Sequence, residues 1–285
     1  GGTALVALIV PSDFARSVQT GRPARVQLLA DGSDANTARL ATGYAESIAQ
    51  AYSAELVVEA LRRRGAAVPN PEVDLRPRVW FNTDLESRNF VVPGLIAVIM
   101  MIIAALLTSL TVAREWETGT MEQVISTPLK PAEIILGKLA PYFAIGLVDM
   151  VISVLVGRYL FGVPLRGNVG VLFVMSGVFL VGALGLGLLV SIATKSQLLA
   201  SQVAFVATFL PAFLLSGFMY DVRLMPAALQ AVTYLVPARY FVNLLRGLYL
   251  KGVGPAVLAG EAVFLVAFAA LVLLLSLARF KKRME

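Results

Sequence analysis

Between Val91 and Ala113 the chain runs for 23 residues without a charged side chain. A helix rises 1.5 Å per residue, so about 20 apolar residues cover the hydrocarbon core of a bilayer. Four further apolar runs follow, and spans are expected at 91–113, 135–160, 168–192, 198–219 and 257–279. Hydrophobic residues make up 58% of the 285 residues and mean hydropathy is +0.79, where a soluble domain sits near 45–50% apolar. The expected fold class is an α-helical integral membrane protein carrying an N-terminal α/β domain.

Residues 1–90 read as that domain. A buried strand covers 3–10, and Ser12 or Asp13 then caps a short helix that stops at Gly21. A second strand spans 25–30 and turns at Asp31-Gly32. A long amphipathic helix is expected over 36–64, with Ala41, Tyr44, Ile48, Tyr52, Leu56 and Leu61 on its apolar face and Gly65 at its end. A third strand covers 76–82. The order β-α-β-α-β marks a small α/β domain. It holds no glycine-rich phosphate loop, and Arg62-Arg63-Arg64 reads as a solvated helix end favoured by the dipole.

Charge sets the expected topology. Residues 1–90 carry ten basic and ten acidic side chains, whereas 91–285 carry fourteen and eight and so hold the whole net charge of +6. The basic residues flank apolar spans, which is a membrane pattern and not a nucleic-acid patch. The tail, Arg279 to Arg283, is the densest basic cluster beside any span and is assigned to the cytoplasm. Five spans then place residues 1–90 outside, and 114–138 and the Lys195 turn inside. Loop counts alone favour this only weakly, with eight Lys/Arg inside against six outside. The tail decides.

The stretch 114–127 is a polar island between two spans. Arg114, Glu115 and Glu117 open it, and carboxylates in a first turn suit the positive end of a helix dipole. Met121, Val124 and Ile125 give a narrow apolar stripe at i, i+3 and i+4. Pro128 ends the helix. A short helix at a membrane surface can be pushed from the water phase, although a plain solvated connector would also be charged.

Other features lie within and between the spans. Gly182, Gly185 and Gly187 invite close helix packing, and Pro211 should kink its span. Asp149 is the one carboxylate at mid-depth, a pathway candidate or a packing hydrogen bond. Glu261 sits near an interface. Residues 220–251, too polar to span and too apolar for a free loop, are expected as short helices dipping into the outer interface, with Tyr234, Tyr240 and Tyr249 at headgroup level. The sequence has no Cys and no His, which removes thiol and imidazole nucleophile pairs and the metal sites built on them. No metal site is expected.

The island, with residues 214–226 (LLSGFMYDVRLMP) and 236–252 (VPARYFVNLLRGLYLKG), resembles the permease subunits of ABC exporters of the ABC-2 type. In that family the first cytoplasmic loop reads roughly R-E-x-E-x-G-T-x-E-x-[LI]-x-x-[TS]-P. Arg114, Glu115, Glu117, Gly119, Thr120, Glu122, Thr127 and Pro128 match it. Residues 9–38 look like the extracytoplasmic domain of the multidrug-export branch. Tyr220-Asp221 departs from the Phe-Pro common in relatives. The family has six spans, one before the outer domain, so the resemblance implies a first span upstream of Gly1.

The resemblance implies that the island is a coupling helix seated in a groove of a separate cytoplasmic ATPase. Glu115, Glu117 and Glu122 would make polar contacts there, and Met121, Val124 and Ile125 would pack. Gly137-Lys138-Leu139 is followed by neither Ser nor Thr, so no G-x-x-x-x-G-K-[ST] loop is present. ATP and its Mg2+ would bind the partner, leaving this chain no cofactor and no catalytic residue. A second permease copy or a paralogue would complete the pathway, and by analogy the outer domain would meet a periplasmic adaptor. Expected cargo is hydrophobic or amphipathic, drugs or lipids, leaving across the inner membrane. The alternative is a membrane-anchored receptor or assembly factor whose outer domain binds a ligand or partner.

Overall fold

The computed structural model describes residues 6–20, 22–31, 35–64, 73–80, 86–254 and 256–280. Expectations at Gly21, the Asp31-Gly32 turn, Gly65, the ends of the first and third strands and the basic tail beyond Phe280 lie partly or wholly outside those residues. So do the side chains of Leu61 and of Arg62 to Arg64. Backbone contacts divide the chain into two units, Gly1–Phe90 and Val91–Glu285.

The first unit holds a three-stranded sheet in the order β1-β2-β3. Strand β1 (Val6–Ile9) pairs antiparallel with β2 (Ala24–Asp31), Val6 opposite Ala30. β3 (Val73–Trp80) runs parallel to β2, Ala24 opposite Val73. β2 buries Ala24, Val26, Leu28 and Ala30, alternate residues of a pleated strand with one covered face. Pro77 in β3 has no N–H to give a ladder and sits on an edge strand, where that loss is tolerated. Helix α1 (Phe14–Gln19) follows β1, and α2 (Ala35–Arg64) makes the parallel crossover.

α2 turns a different face inward from the one expected. Its covered or half-covered positions are Ala38, Ala41, Thr42, Ala45, Ala49, Ser53 and Leu56, so among the described residues the expected face keeps only Ala41 and Leu56. Tyr44 and Ile48 are 71% and 70% exposed. Small residues let the helix lie close on the sheet, and length explains the rest. Thirty residues make a helix of about 45 Å, whereas an eight-residue strand covers about 27 Å.

The second unit contains five helices long and apolar enough to cross a membrane, Ser87–Glu117, Pro131–Leu160, Val169–Thr194, Gln197–Leu215 and Ala259–Arg279, counted among the described residues. They are α3 (Ser87–Glu117), α5 (Pro131–Leu155) with a π-helical turn to Leu160, α6 (Val169–Thr194), α7 (Gln197–Leu210) with a π-helical turn Pro211–Leu215, and α10 (Ala259–Arg279). Between α3 and α5 lies the short helix α4 (Met121–Ser126). The outward sides of α5 and α10, with Ile145, Val148, Ile152, Val263 and Leu274, leave large apolar side chains exposed, as a lipid-solvated bundle requires.

α6 is the central post. A Cβ on Gly187 would stand 2.2 Å from the Ala105 carbonyl oxygen, so the α3 backbone can approach only because that side chain is missing. Thr108 Oγ1 donates to the Leu184 carbonyl at 2.8 Å. Ser191 Oγ accepts the backbone N–H groups of Val112 and Ala113 at 3.0 and 2.9 Å. Small residues plus short polar bridges are how membrane helices associate where lipid removes the hydrophobic driving force. α10 packs on the other side, its Phe268 and Val272 filling the space beside Gly182 and Gly185.

Residues 220–251 are not wholly interfacial. A single 3-10 turn (Val222–Leu224), α8 (Ala227–Thr233) and α9 (Pro237–Arg246) lead into a π-helical turn Gly247–Lys251. Phe241, Val242 and Leu244 are fully buried, and the Phe241 ring stacks on Phe179 of α6 at 4.0 Å. Tyr249, expected at headgroup level, is 0% exposed, and its hydroxyl has no hydrogen-bond partner among the described residues. Tyr234 does remain exposed, under the Arg239 guanidinium 4.0 Å above its ring. The buried segment is tied to the loop before α6 by Gly167 N–H, which donates to Leu248 O at 2.8 Å.

Candidate functional site

The polar island lies at the end of the bundle where α3, α5, α6 and α7 turn. Nothing in REWE breaks a helix, so α3 runs through it to Glu117. The break comes at Gly119, whose φ of +73° is the left-handed geometry that ends helices. Thr118 and Thr120 hydroxyls meet across that turn at 3.1 Å. α4 then occupies only Met121–Ser126, and Thr127 goes extended before Pro128. The backbone N–H of Lys130 donates to Glu133 Oε2 at 2.7 Å, and Pro131 opens α5.

This corrects the expected placement. Arg114, Glu115 and Glu117 do not form the first turn of the island's helix; they form the last turn of α3. Carboxylates there face the negative end of a dipole, and both acidic groups are held by other elements. Glu115 Oε1 pairs with Lys138 Nζ of α5. Glu117 Oε1 accepts the backbone N–H of Gln197 at 2.8 Å and Oε2 accepts the Gln197 side-chain amide at 2.6 Å. Gln197 is the first residue of α7, and its N-cap Ser196 supplies no side-chain cap. Glu117 is thus at the wrong end of α3 and the right end of α7.

Two more residues close this collar. Lys195, the C-cap of α6, adopts φ 54°, and its ammonium lies 4.4 Å from the Trp116 ring centroid. Met121 is 2% exposed, so the first residue of the expected stripe is packed within this chain; Val124 is half-buried, and the Ile125 side chain lies outside the described residues. Exposed at this end are Arg114, Glu117, Thr118, Gly119, Thr120, Glu122, Gln123, Ser126, Pro128, Leu129 and Lys130. The site residues read from the sequence therefore split. Glu115 is half-buried and paired within the chain, Glu117 is exposed but holds Gln197, Arg114, Gly119, Thr120, Glu122 and Pro128 face outward, and Thr127 is half-buried.

The sequence singles out neither Trp116 nor Gln197, and it gives Lys138 and Lys195 only as charges in cytoplasmic turns, without their partners. Lys138 carried the available signal, a lone cation close to the start of an apolar run. Lys195 and Gln197 had a weaker one, as the polar break between two spans.

Asp149, in the second half of the span Pro131–Leu160, faces a narrow groove lined by Met100, Ile103, Leu107, Tyr142, Gly146 and Leu180. Pro211 begins the π-helical turn that widens the end of the α7 span. At the other end of the bundle a cleft of about 420 Å3 opens between the start of α6 and α10; Val171, Val174, Met175, Leu258 and Ala262 line it with no charged side chain.

Five apolar helices, the island and the buried segment 236–251 describe a multi-pass membrane protein, and comparison with known proteins places it. Residues 2–278 match the family described as ABC-2 family transporter protein, and the chain belongs to that family. Among curated relatives it is similar to "Probable multidrug ABC transporter permease YbhS" of Escherichia coli (strain K12), 41% identical over 98% of this chain and 73% of that protein. It is also similar to "Probable multidrug ABC transporter permease YbhR" of the same strain, 34% identical over 87% of this chain and 65% of the relative. "Inner membrane transport permease YhhJ" is 27% identical over 97% of the chain and 72% of its own length.

Proposed function

We propose that the chain is the membrane subunit of an ATP-driven exporter, moved by a separate ATPase that docks on the turn between α3 and α5. The observation that carries this reading is the polar surface around Gly119, Thr120, Glu122 and Gln123, solvent-facing yet attached to the end of a span by a three-residue turn. A load applied there has a short, stiff route into the bundle. ATP and its Mg2+ bind the ATPase, and this chain supplies no catalytic group.

Residues 1–90 are assigned to the outside and the tail to the cytoplasm of an inner-membrane protein, on the basic cluster after α10. A second permease copy or a paralogue completes the pathway, and a periplasmic adaptor would meet the outer domain. The names of the two multidrug relatives support hydrophobic or amphipathic cargo, drugs or lipids. Asp149 and Pro211 are the pathway candidates, one an intramembrane carboxylate and the other a break in helix geometry.

The test is co-purification with the partner ATPase, followed by substrate-stimulated ATP hydrolysis in liposomes. Glu122→Arg, which reverses a charge on the outward face, is expected to lower ATPase co-purification at least tenfold while membrane insertion stays normal. Unchanged co-purification and export in that variant count against docking at this surface.

A further inference from the structure

We infer that Glu117 works inside the permease, joining the moving end of α3 to the first turn of α7, and is not a contact to the ATPase. The inference rests on the coupling role proposed above and assigns one of its residues a different task from the one the family resemblance implied.

The argument begins with helix ends. The first turn of α7 has unsatisfied N–H groups and a positive dipole end, and its N-cap Ser196 leaves them without a side-chain cap. Glu117 comes from 80 residues earlier and caps the Gln197 backbone N–H with one carboxylate oxygen, while the other accepts the Gln197 side-chain amide. A two-point contact of this kind fixes orientation as well as distance. Trp116, its neighbour, holds Lys195 on the other side of the same turn. One helical turn back, Ser191 takes the two N–H groups of Val112 and Ala113.

The end of α3 and the α6–α7 turn are thus joined at three successive levels. α4 hangs from the same end of α3 through Thr118, Gly119 and Thr120. Displacement of α4 therefore reaches α7 through Glu117, and α7 leads to Pro211 and its π-helical turn. Glu117 is exposed, so the case for its internal role is that each of its carboxylate oxygens is already taken by Gln197.

The experiment uses the complete transporter in liposomes and reads three quantities: ATPase co-purification, ATP hydrolysis, and substrate exported per ATP. Glu117→Ala is expected to keep co-purification and hydrolysis within about twofold of the unmodified protein while export per ATP falls at least tenfold. Gln197→Ala removes one of the two contacts and should show the same pattern more weakly, and Glu117→Gln, which keeps an acceptor, should recover part of the loss. These 285 residues hold no cysteine, so Glu117→Cys with Gln197→Cys can be bridged by a short bis-maleimide. Bridging should restore export per ATP, a result that a merely stabilising residue would not give.

If Glu117→Ala abolishes co-purification while Gln197→Ala exports normally, Glu117 is a docking residue and the inference is overturned. If the unmodified chain co-purifies with no ATPase, the coupling reading itself fails, and the inference with it.

Discussion

Gly119 shows how much a single residue decides at this end of the bundle. Apart from its two chain neighbours, nothing lies within 4 Å of where its Cβ would stand, so space does not explain the glycine. The backbone does, because φ is +73°. An alanine there is disfavoured by roughly 1 kcal/mol, and asparagine, which tolerates the left-handed region, by less. Gly119→Ala should therefore speed amide hydrogen exchange over residues 118–126, and Gly119→Asn should stay near the unmodified protein. Equal exchange in all three would mean that the turn does not depend on its positive φ. Residue 117 carries a second lesson. Its charge is unfavourable when judged by its own helix and favourable when judged by the helix it touches.

At the scale of elements, the spans were legible because bilayer thickness sets a length that apolar runs must meet. Their ends were not. α3 overran its apolar stretch by four residues, since Arg, Glu and Trp continue a helix until a residue with positive φ stops it. α2 was read on its large apolar positions, yet the sheet took the alanine face, because close approach depends on small side chains and the helix outreaches the strands. α9 and the turn after it were read as interfacial from their polarity, and their apolar face proved to be core. Glycine-dependent packing of α6 gives a sharp contrast at this scale. Gly187→Ala would drive a Cβ into the Ala105 carbonyl and should cost about 3 kcal/mol, the upper end for overpacking. Gly137→Ala in α5 meets nothing within 4 Å and should gain about 0.5–1 kcal/mol from helix propensity. Thermal unfolding in detergent should move in opposite directions for the two. Movement in the same direction would contradict the α3–α6 contact.

For the whole molecule the open assignment is sidedness, which rests on the basic tail. Because these 285 residues hold no cysteine, single cysteines placed in them can report it. Cysteine in place of Ser47 or Ala228 should react with a membrane-impermeant thiol reagent in intact cells, and cysteine in place of Ser126 only after permeabilisation. The reverse pattern would invert the topology and remove the proposed docking surface from the cytoplasm. The sequence by itself determined the class, the number of spans present and the position of the island, because each follows from local quantities: run length, charge and an ordered motif. Only the tertiary structure decided what Glu115 and Glu117 touch. Glu115 meets Lys138, and Glu117 meets a residue 80 positions away. No local rule predicts which helix end a carboxylate will find once five helices have packed.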